Sequence, residues 1–177
     1  MRIIAGRLKG RRLKAPAGSS VRPTSDSLRE TLFNVLGPLD GLGVLDGFAG
    51  TGALGLEAYS RGASSIAFIE HDAAALRVLR ENVAHCGVED ACAIIRGDFM
   101  NARVDAQRFD LVLLDPPYTM ANIPDVLTRA AALLAPAGRL VFEHSRRTAA
   151  PDAIPGAARY RTITAGDSAL SLYAPVA

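Results

Sequence analysis

Between residues 44 and 55 the chain reads Val44-Leu45-Asp46-Gly47-Phe48-Ala49-Gly50-Thr51-Gly52-Ala53-Leu54-Gly55, an apolar run that breaks into glycines before a helix-forming stretch ending at Gly62. A buried strand that turns through Gly50, Gly52 and Gly55 straight into a helix brings backbone close to a ligand and aims the helix N-terminus at it. The next apolar run, Ile66 to Ile69, ends in Glu70, 20 residues after Gly50. Glycine loop and distal carboxylate together fit a nucleoside cofactor whose ribose hydroxyls meet the acid, without saying which nucleoside. Asp46 tilts that choice, because an anion at the strand end suits a cationic amino-acid moiety better than a pyrophosphate. S-adenosylmethionine has an ammonium and a sulfonium and no phosphate.

A second strand signal, Phe109, Leu111, Val112, Leu113 and Leu114, delivers Asp115-Pro116-Pro117-Tyr118 to its C-terminal edge. Residues before proline are pushed into extended geometry and proline fixes its own φ, so the Asp115 side chain and the two carbonyls are held stiffly. Neither Pro116 nor Pro117 has an N–H, and the turn therefore offers acceptors. Acceptors beside an aromatic face suit a planar base with an exocyclic amine: the amine donates to Asp115 and the Pro116 carbonyl while Tyr118 stacks on the ring. A third strand, Ala91 to Arg96, leads to Gly97-Asp98-Phe99, where Asp98 can accept from an adenine amino group with Phe99 packed nearby.

Charge is distributed unevenly. Arg2, Arg7, Lys9, Arg11, Arg12, Lys14 and Arg22 fall in the first 22 residues with no acid among them, whereas the whole chain carries only +2. A basic arm on a mildly acidic body is the footprint of a polyanion binder. With 177 residues there is room for one core and no second full domain. No apolar run approaches the ~20 residues of a membrane span, and the basic N-terminus lacks an apolar signal core, which suggests a cytoplasmic protein without a membrane partner. Cys86 and Cys92 lack CxxC or histidine spacing and read as free buried thiols, so no metal is expected. His71, His85 and His144 are scattered and read as structural or exposed, although His144 follows a strand end.

The order of elements predicts an α/β fold. Residues 2 to 4 and 12 to 14 read as a β-hairpin around Gly6 and Gly10, too small to be stable unless it docks. Thr24, Ser25 or Asp26 caps a helix to about Leu36, with Leu28, Leu32, Val35 and Leu36 on one face and Gly37-Pro38 as its stop. Asp72 caps a helix bearing Leu76, Leu79 and Val83 and ending at Gly87. A helix from Ile123 to Leu134, then Pro136-Ala137-Gly138, precedes a strand from Arg139 to Glu143. Repeated strand–helix–strand order implies a Rossmann-like, doubly wound, mostly parallel seven-stranded sheet with right-handed crossovers. Residues 157 to 164 and 169 to 174 close it as an antiparallel C-terminal pair.

With these motifs in place the chain resembles a class I S-adenosylmethionine-dependent methyltransferase, DGFAGTG serving as cofactor motif and DPPY as amino-methylation motif. More closely, MRIIAGRLKGRRL, VRPTSDSLRETLFNVL, VLDGFAGTGALGLEA and LLDPPY resemble the RsmD family, in a likeness that weakens after about Arg146. The resemblance implies methyl transfer from S-adenosylmethionine to guanine N2 of 16S ribosomal RNA, in the small subunit or an assembly intermediate, by a monomer. It assigns Asp46, Gly50, Gly52, Glu70 and Asp98 to the cofactor and Asp115, Pro116 and Tyr118 to the target base; Phe48 and Phe99 are expected beside the cofactor and Pro117 in the catalytic turn. Residues 1–22 become a basic hairpin arm gripping RNA and residues 23–177 the methyltransferase domain. Competing readings are a DNA adenine-N6 methyltransferase, which usually needs an added recognition region, protein glutamine methylation, against which the basic arm argues, a nicotinamide-dependent oxidoreductase, which leaves DPPY idle, and a non-catalytic RNA-binding assembly factor.

Overall fold

The computed structural model describes residues 1–18, 24–104 and 108–177. A sheet runs through the centre in the order β3-β2-β1-β4-β5-β8-β7-β6. The strands are β1 (Gly43–Asp46), β2 (Ser65–Glu70), β3 (Cys92–Arg96), β4 (Phe109–Leu114), β5 (Leu134–Ser145), β6 (Ala153–Ile154), β7 (Ala157–Ala165) and β8 (Ser168–Pro175). The first five are parallel, and β8 inserts antiparallel between β5 and β7. The expected seven strands become eight because Ala153 and Ile154 pair with Ala158 and Ala157 across the turn at Gly156. The strand expected to begin at Arg139 begins at Leu134 instead, carrying Pro136 and Gly138 inside it. The register with β4 shifts between Phe109 and Leu111 there, which absorbs the missing proline N–H.

The helices are α1 (Asp26–Leu36), α2 (Ala53–Ser60), α3 (Ala73–Cys86) and α4 (Ile123–Ala132). Alternation along β4 shows how they divide. Leu111 and Leu113 point into a core shared with α1, α2 and α3, whereas Val112 and Leu114 point into one shared with α4. Ser25 caps α1 by accepting from the Leu28 amide, and Asp72 caps α3 by accepting from Ala75. Gly87 in the left-handed conformation ends α3.

The basic N-terminal segment docks on this body. Its hairpin is held by Ile3 N–H donating to Arg11 O and Leu13 N–H donating to Met1 O, both at 2.9 Å, with a single bridge between Arg2 and Arg12. Ile3, Leu8 and Leu13 are buried in the α1–α3 core. The socket is polar: fully buried Glu57 of α2 accepts from the Ile4 and Ala5 amides at 2.9 and 3.1 Å. Gly6, at φ +82°, lies so close that a Cβ there would sit 1.9 Å from the Ser60 carbonyl oxygen.

Candidate active site

Strand ends build the site. In parallel register Asp46 stands level with Leu113, while the Leu114–Phe142 pair brings Asp115 and Glu143 to adjacent positions. Glu70 closes β2 and pairs with Arg96. All four acids line one cavity of about 760 Å³ at the carboxyl edge of the parallel strands, where open α/β sheets keep their ligands.

Asp46 is almost wholly buried. Its Oδ2 accepts from the Gly55 amide at 3.0 Å, and its Oδ1 has no hydrogen-bond partner. Burial above all, and then the charge of Glu70, pushes its pKa up to about 7, although the Gly55 and Phe48 amides pull the other way. An acid buried with one oxygen open to a cavity is a socket for a cationic group, because the cation both fills the vacant acceptor and repays the desolvation.

Glu70 has a second task beyond any ligand. Its Oε2 accepts from the Gly50 amide at 2.7 Å, and its Oε1 accepts from the amides of His71 and Asp72, both at 2.9 Å. The carboxylate thus clamps the glycine turn to the start of the α3 cap. With about four acceptor positions on a carboxylate, one remains for a hydroxyl.

The glycines divide by role. Gly50 lines the cavity, adopts φ +54° and has open space where a Cβ would stand. Gly52 does not line the cavity; at φ +85° it starts α2, and a Cβ on it would come within 2.5 Å of Leu79. Gly55 is barred from a side chain by Phe68. Phe48 and Phe99 pack with ring centroids 5.3 Å apart, giving the cavity an aromatic wall beside Gly97. Asp98 is exposed and outside the lining residues, its Oδ1 turned back to accept from the Met100 amide at 2.8 Å. That side chain, expected from the sequence to meet an adenine, caps a turn with one oxygen, between Gly97 and Phe99 of the cavity wall.

At the other end of the cavity lie Asp115, Pro116, Pro117 and Tyr118. Burial pushes the Asp115 pKa well above the usual carboxylate range, and the negative charges of Glu143 and Asp46 push the same way. The Tyr118 ring is half exposed and its hydroxyl lies 2.9 Å from Ser168 Oγ. Thr24 and Glu143 were not singled out by the sequence: the Thr24 hydroxyl donates to Glu143 Oε2 at 2.5 Å and both line the cavity. Glu143 follows the apolar run Leu140, Val141 and Phe142 near the end of β5, as Asp46, Glu70 and Asp115 follow theirs, and that recurrence was the available signal. His144 packs its ring on Phe142 and bonds Ser171 Oγ at 2.9 Å, away from the cavity lining.

The arm reaches the same cavity, since Met1, Ala15 and Pro16 form part of its wall. Its cations are not equally available. Arg7 donates to the carbonyls of Tyr59 and Ala63 and stacks over the Tyr59 ring, Arg11 donates to His85 O, and Lys14 pairs with Glu81 at 2.9 Å. Arg2, Lys9 and Arg12 are exposed, while Arg22 lies outside the described residues. Among the described residues no cluster of metal-ligating side chains forms and no helix is long and apolar enough to cross a membrane.

Residues 1–174 match the family described as Conserved hypothetical protein 95. The putative rRNA methyltransferase YlbH of Bacillus subtilis is 36% identical over 180 residues, spanning 98% of each chain. The ribosomal RNA small subunit methyltransferase D of Haemophilus influenzae is 42% identical over 123 residues, 67% of this chain and 64% of that one. Among solved structures, the putative methyltransferase yhhF from Escherichia coli superposes with a TM-score of 0.85 at 34% identity, covering 99% of this chain and 97% of that one. A 16S rRNA N2 methyltransferase of Thermus thermophilus, in complex with AdoMet and guanosine, shares the fold with a TM-score of 0.71 at 24% identity over 90% of this chain and 44% of that one.

Proposed function

We propose, on the premise that the chain belongs to the RsmD family of methyltransferases, that it methylates the exocyclic N2 amine of a guanine in small-subunit ribosomal RNA with S-adenosylmethionine as donor. The observation that carries this reading is the continuity of one cavity from the open oxygen of Asp46 to the acceptor turn of Asp115. A donor socket and an amine socket opening into the same space are what a direct transfer needs.

The chain's own groups fit the donor. Asp46 Oδ1 would hold the ammonium, the remaining acceptor of Glu70 a ribose hydroxyl, and the Phe48–Phe99 wall the adenine face. When bound, S-adenosylmethionine supplies an electrophilic methyl group on a sulfonium.

The amine of guanine is a poor nucleophile because its lone pair is delocalised into the ring. Asp115 and the Pro116 carbonyl accept its two N–H bonds, which fixes the nitrogen and favours pyramidal geometry, while Tyr118 supports the ring face. With the donor bound, the nitrogen would gain positive charge as its bond to the methyl carbon formed and the sulfonium S–C bond broke to leave a neutral thioether, and it would then shed a proton. Asp115 is placed to stabilise that charge. An acid whose proton affinity is raised by burial and by Glu143 is also a competent acceptor for the shed proton. The target base must leave its stack to enter a site this deep.

The test is enzymatic. Small subunits from cells lacking this protein are incubated with it and isotopically labelled S-adenosylmethionine, and the RNA is digested to nucleosides. Labelled N2-methylguanosine is expected. N6-methyladenosine would overturn the substrate assignment, and no incorporation into any ribosomal RNA would favour a non-catalytic binder.

A further inference from the structure

The corner where β5 ends sits beside the target-base turn. Ser145, the last residue of β5, pairs with Ser168, whose Oγ is 2.9 Å from the Tyr118 hydroxyl. The next two residues, Arg146 and Arg147, are both exposed. Their backbone is pinned: the Arg146 amide donates to Asp167 O at 2.8 Å, the Arg147 amide to Ser145 Oγ at 3.2 Å, and the Thr148 amide to Ser145 O at 3.0 Å. Neither guanidinium makes a hydrogen bond or ion pair among the described residues. No acid occurs between Glu143 and Asp152, and Asp152 is itself paired with Arg159.

Two considerations give these arginines a task. The cavity is lined by Asp46, Glu70, Asp115 and Glu143, so its mouth repels the phosphates on either side of an entering nucleotide unless cations at the rim offset them. The arm is less able to do this than its composition suggests, because Arg7, Arg11 and Lys14 are engaged with the body. The anchors of Arg7 and Arg11, namely Tyr59, Ala63 and His85, lie at or beyond the C-terminal ends of α2 and α3, at the far end of those helices from the glycine loop, while Lys14 is held by Glu81 within α3.

We propose that the Arg146–Arg147 turn is a phosphate-binding element for RNA, gripping the backbone next to the base held at Tyr118. This rests on the RNA-methyltransferase reading above. Because Tyr118, Ser168, Ser145 and Arg146 form one connected unit, a base stacked on the ring places its neighbouring phosphates near a cation pair whose backbone is already ordered. The contact carries no sequence information; it sets the register in which the base is presented.

The test compares R146A/R147A with R77A/R80A, which removes the same charge from the exposed face of α3. The probe is small ribosomal subunits from cells lacking this protein, and binding is followed against salt. Two lost phosphate contacts are expected to flatten the log–log salt dependence by about 1.4, at ~0.7 per single-stranded contact, for R146A/R147A alone. The KM for subunits should rise roughly tenfold, with kcat and S-adenosylmethionine affinity within about twofold of the unaltered protein, as befits a lost backbone contact. Equal flattening by R77A/R80A would reduce the effect to net charge and overturn the proposal. So would an unchanged slope in R146A/R147A. If instead the unaltered protein binds S-adenosylmethionine and neither methylates nor binds the subunits, the functional reading itself fails, which is a different result from normal methylation that survives R146A/R147A.

Discussion

The Tyr118 hydroxyl and Ser168 Oγ meet at 2.9 Å across 50 residues of sequence, so the ring proposed to face the base is steadied by the strand hairpin at the far side of the sheet. Removing the hydroxyl and removing the ring should therefore differ. In Y118F a hydrogen bond worth ~1 kcal/mol is lost and kcat/KM should fall about fivefold. In Y118A the stacking face goes as well, and a further ~1–3 kcal/mol, roughly fivefold to 160-fold, should disappear. Steady-state methylation of both variants decides; equal activities would remove Tyr118 from base stacking.

Asp115→Asn keeps shape and removes charge. Turnover should drop by about 10²–10³-fold, the usual loss when one preorganised electrostatic group is removed, while S-adenosylmethionine binding by calorimetry stays within about threefold. The same variant relieves the repulsion among Asp115, Glu143 and Asp46 and should melt at a higher temperature at pH 8. Undiminished turnover would exclude Asp115 as the acceptor.

Asp46 gives a pH signature with a definite sign. Its pKa is raised from 3.8 to about 7 in the folded protein, so the native state binds more protons than the unfolded state between those values, and this group makes stability fall as pH rises from 3.8 toward 7. Donor binding runs the opposite way, because the ammonium needs the ionised acid. Affinity for S-adenosylmethionine should strengthen up to tenfold per pH unit below about 7 and level off above it. Calorimetry from pH 5.5 to 8.5 should trace that curve, and Asp46→Asn should flatten it and weaken binding.

Glu57 holds the arm. Replacing it by alanine leaves the Ile4 and Ala5 amides without an acceptor, removes the acid paired with Arg61, and leaves Arg29 with Asp26 alone. Loss of one partner from such a buried set costs about 3–5 kcal/mol. Hydrogen exchange should accelerate at Ile4 and Ala5 before it does in β1 or β4; uniform acceleration would mean that the arm and body open together.

Gly50 and Gly55 should respond differently to alanine. At Gly55 the new methyl collides with Phe68 and Ile66, costing about 1–3 kcal/mol of stability as overpacking. At Gly50 there is room but the backbone is left-handed, and the cost is about 1 kcal/mol of strain. Thermal melts rank them.

Much of this arrangement was legible in the chain because the acids that line its cavity sit at the ends of apolar runs. Asp46, Glu70 and Asp115 each end a strand, and parallel order carries strand ends to one edge. The caps at Asp72 and Gly87 were readable for the same local reason. Contacts made by register alone were not readable: nothing near Thr24 in sequence announces Glu143, and nothing near Tyr118 announces Ser168. Asp98 was less legible, because a carboxylate after a glycine serves a turn as readily as a ligand, and its Oδ1 caps one here. The arm's cations were less legible in a related way, since charge along a sequence does not reveal which guanidiniums find carbonyls on the body. Pro136 and Gly138, read as a break, proved compatible with a strand at the point where β4 and β5 shift register.

The position of β8 ties the sheet to the base site. It follows β7 in the sequence, yet it lies inside the sheet, between β5 and β7. Without residues 168–175, β5 and β7 would each be left with an unpaired edge. The serine that steadies Tyr118 would be missing as well. Pairing of β8 therefore joins β7 to the parallel strands and steadies Tyr118 at the same time, and a chain clipped before it would carry adhesive edges.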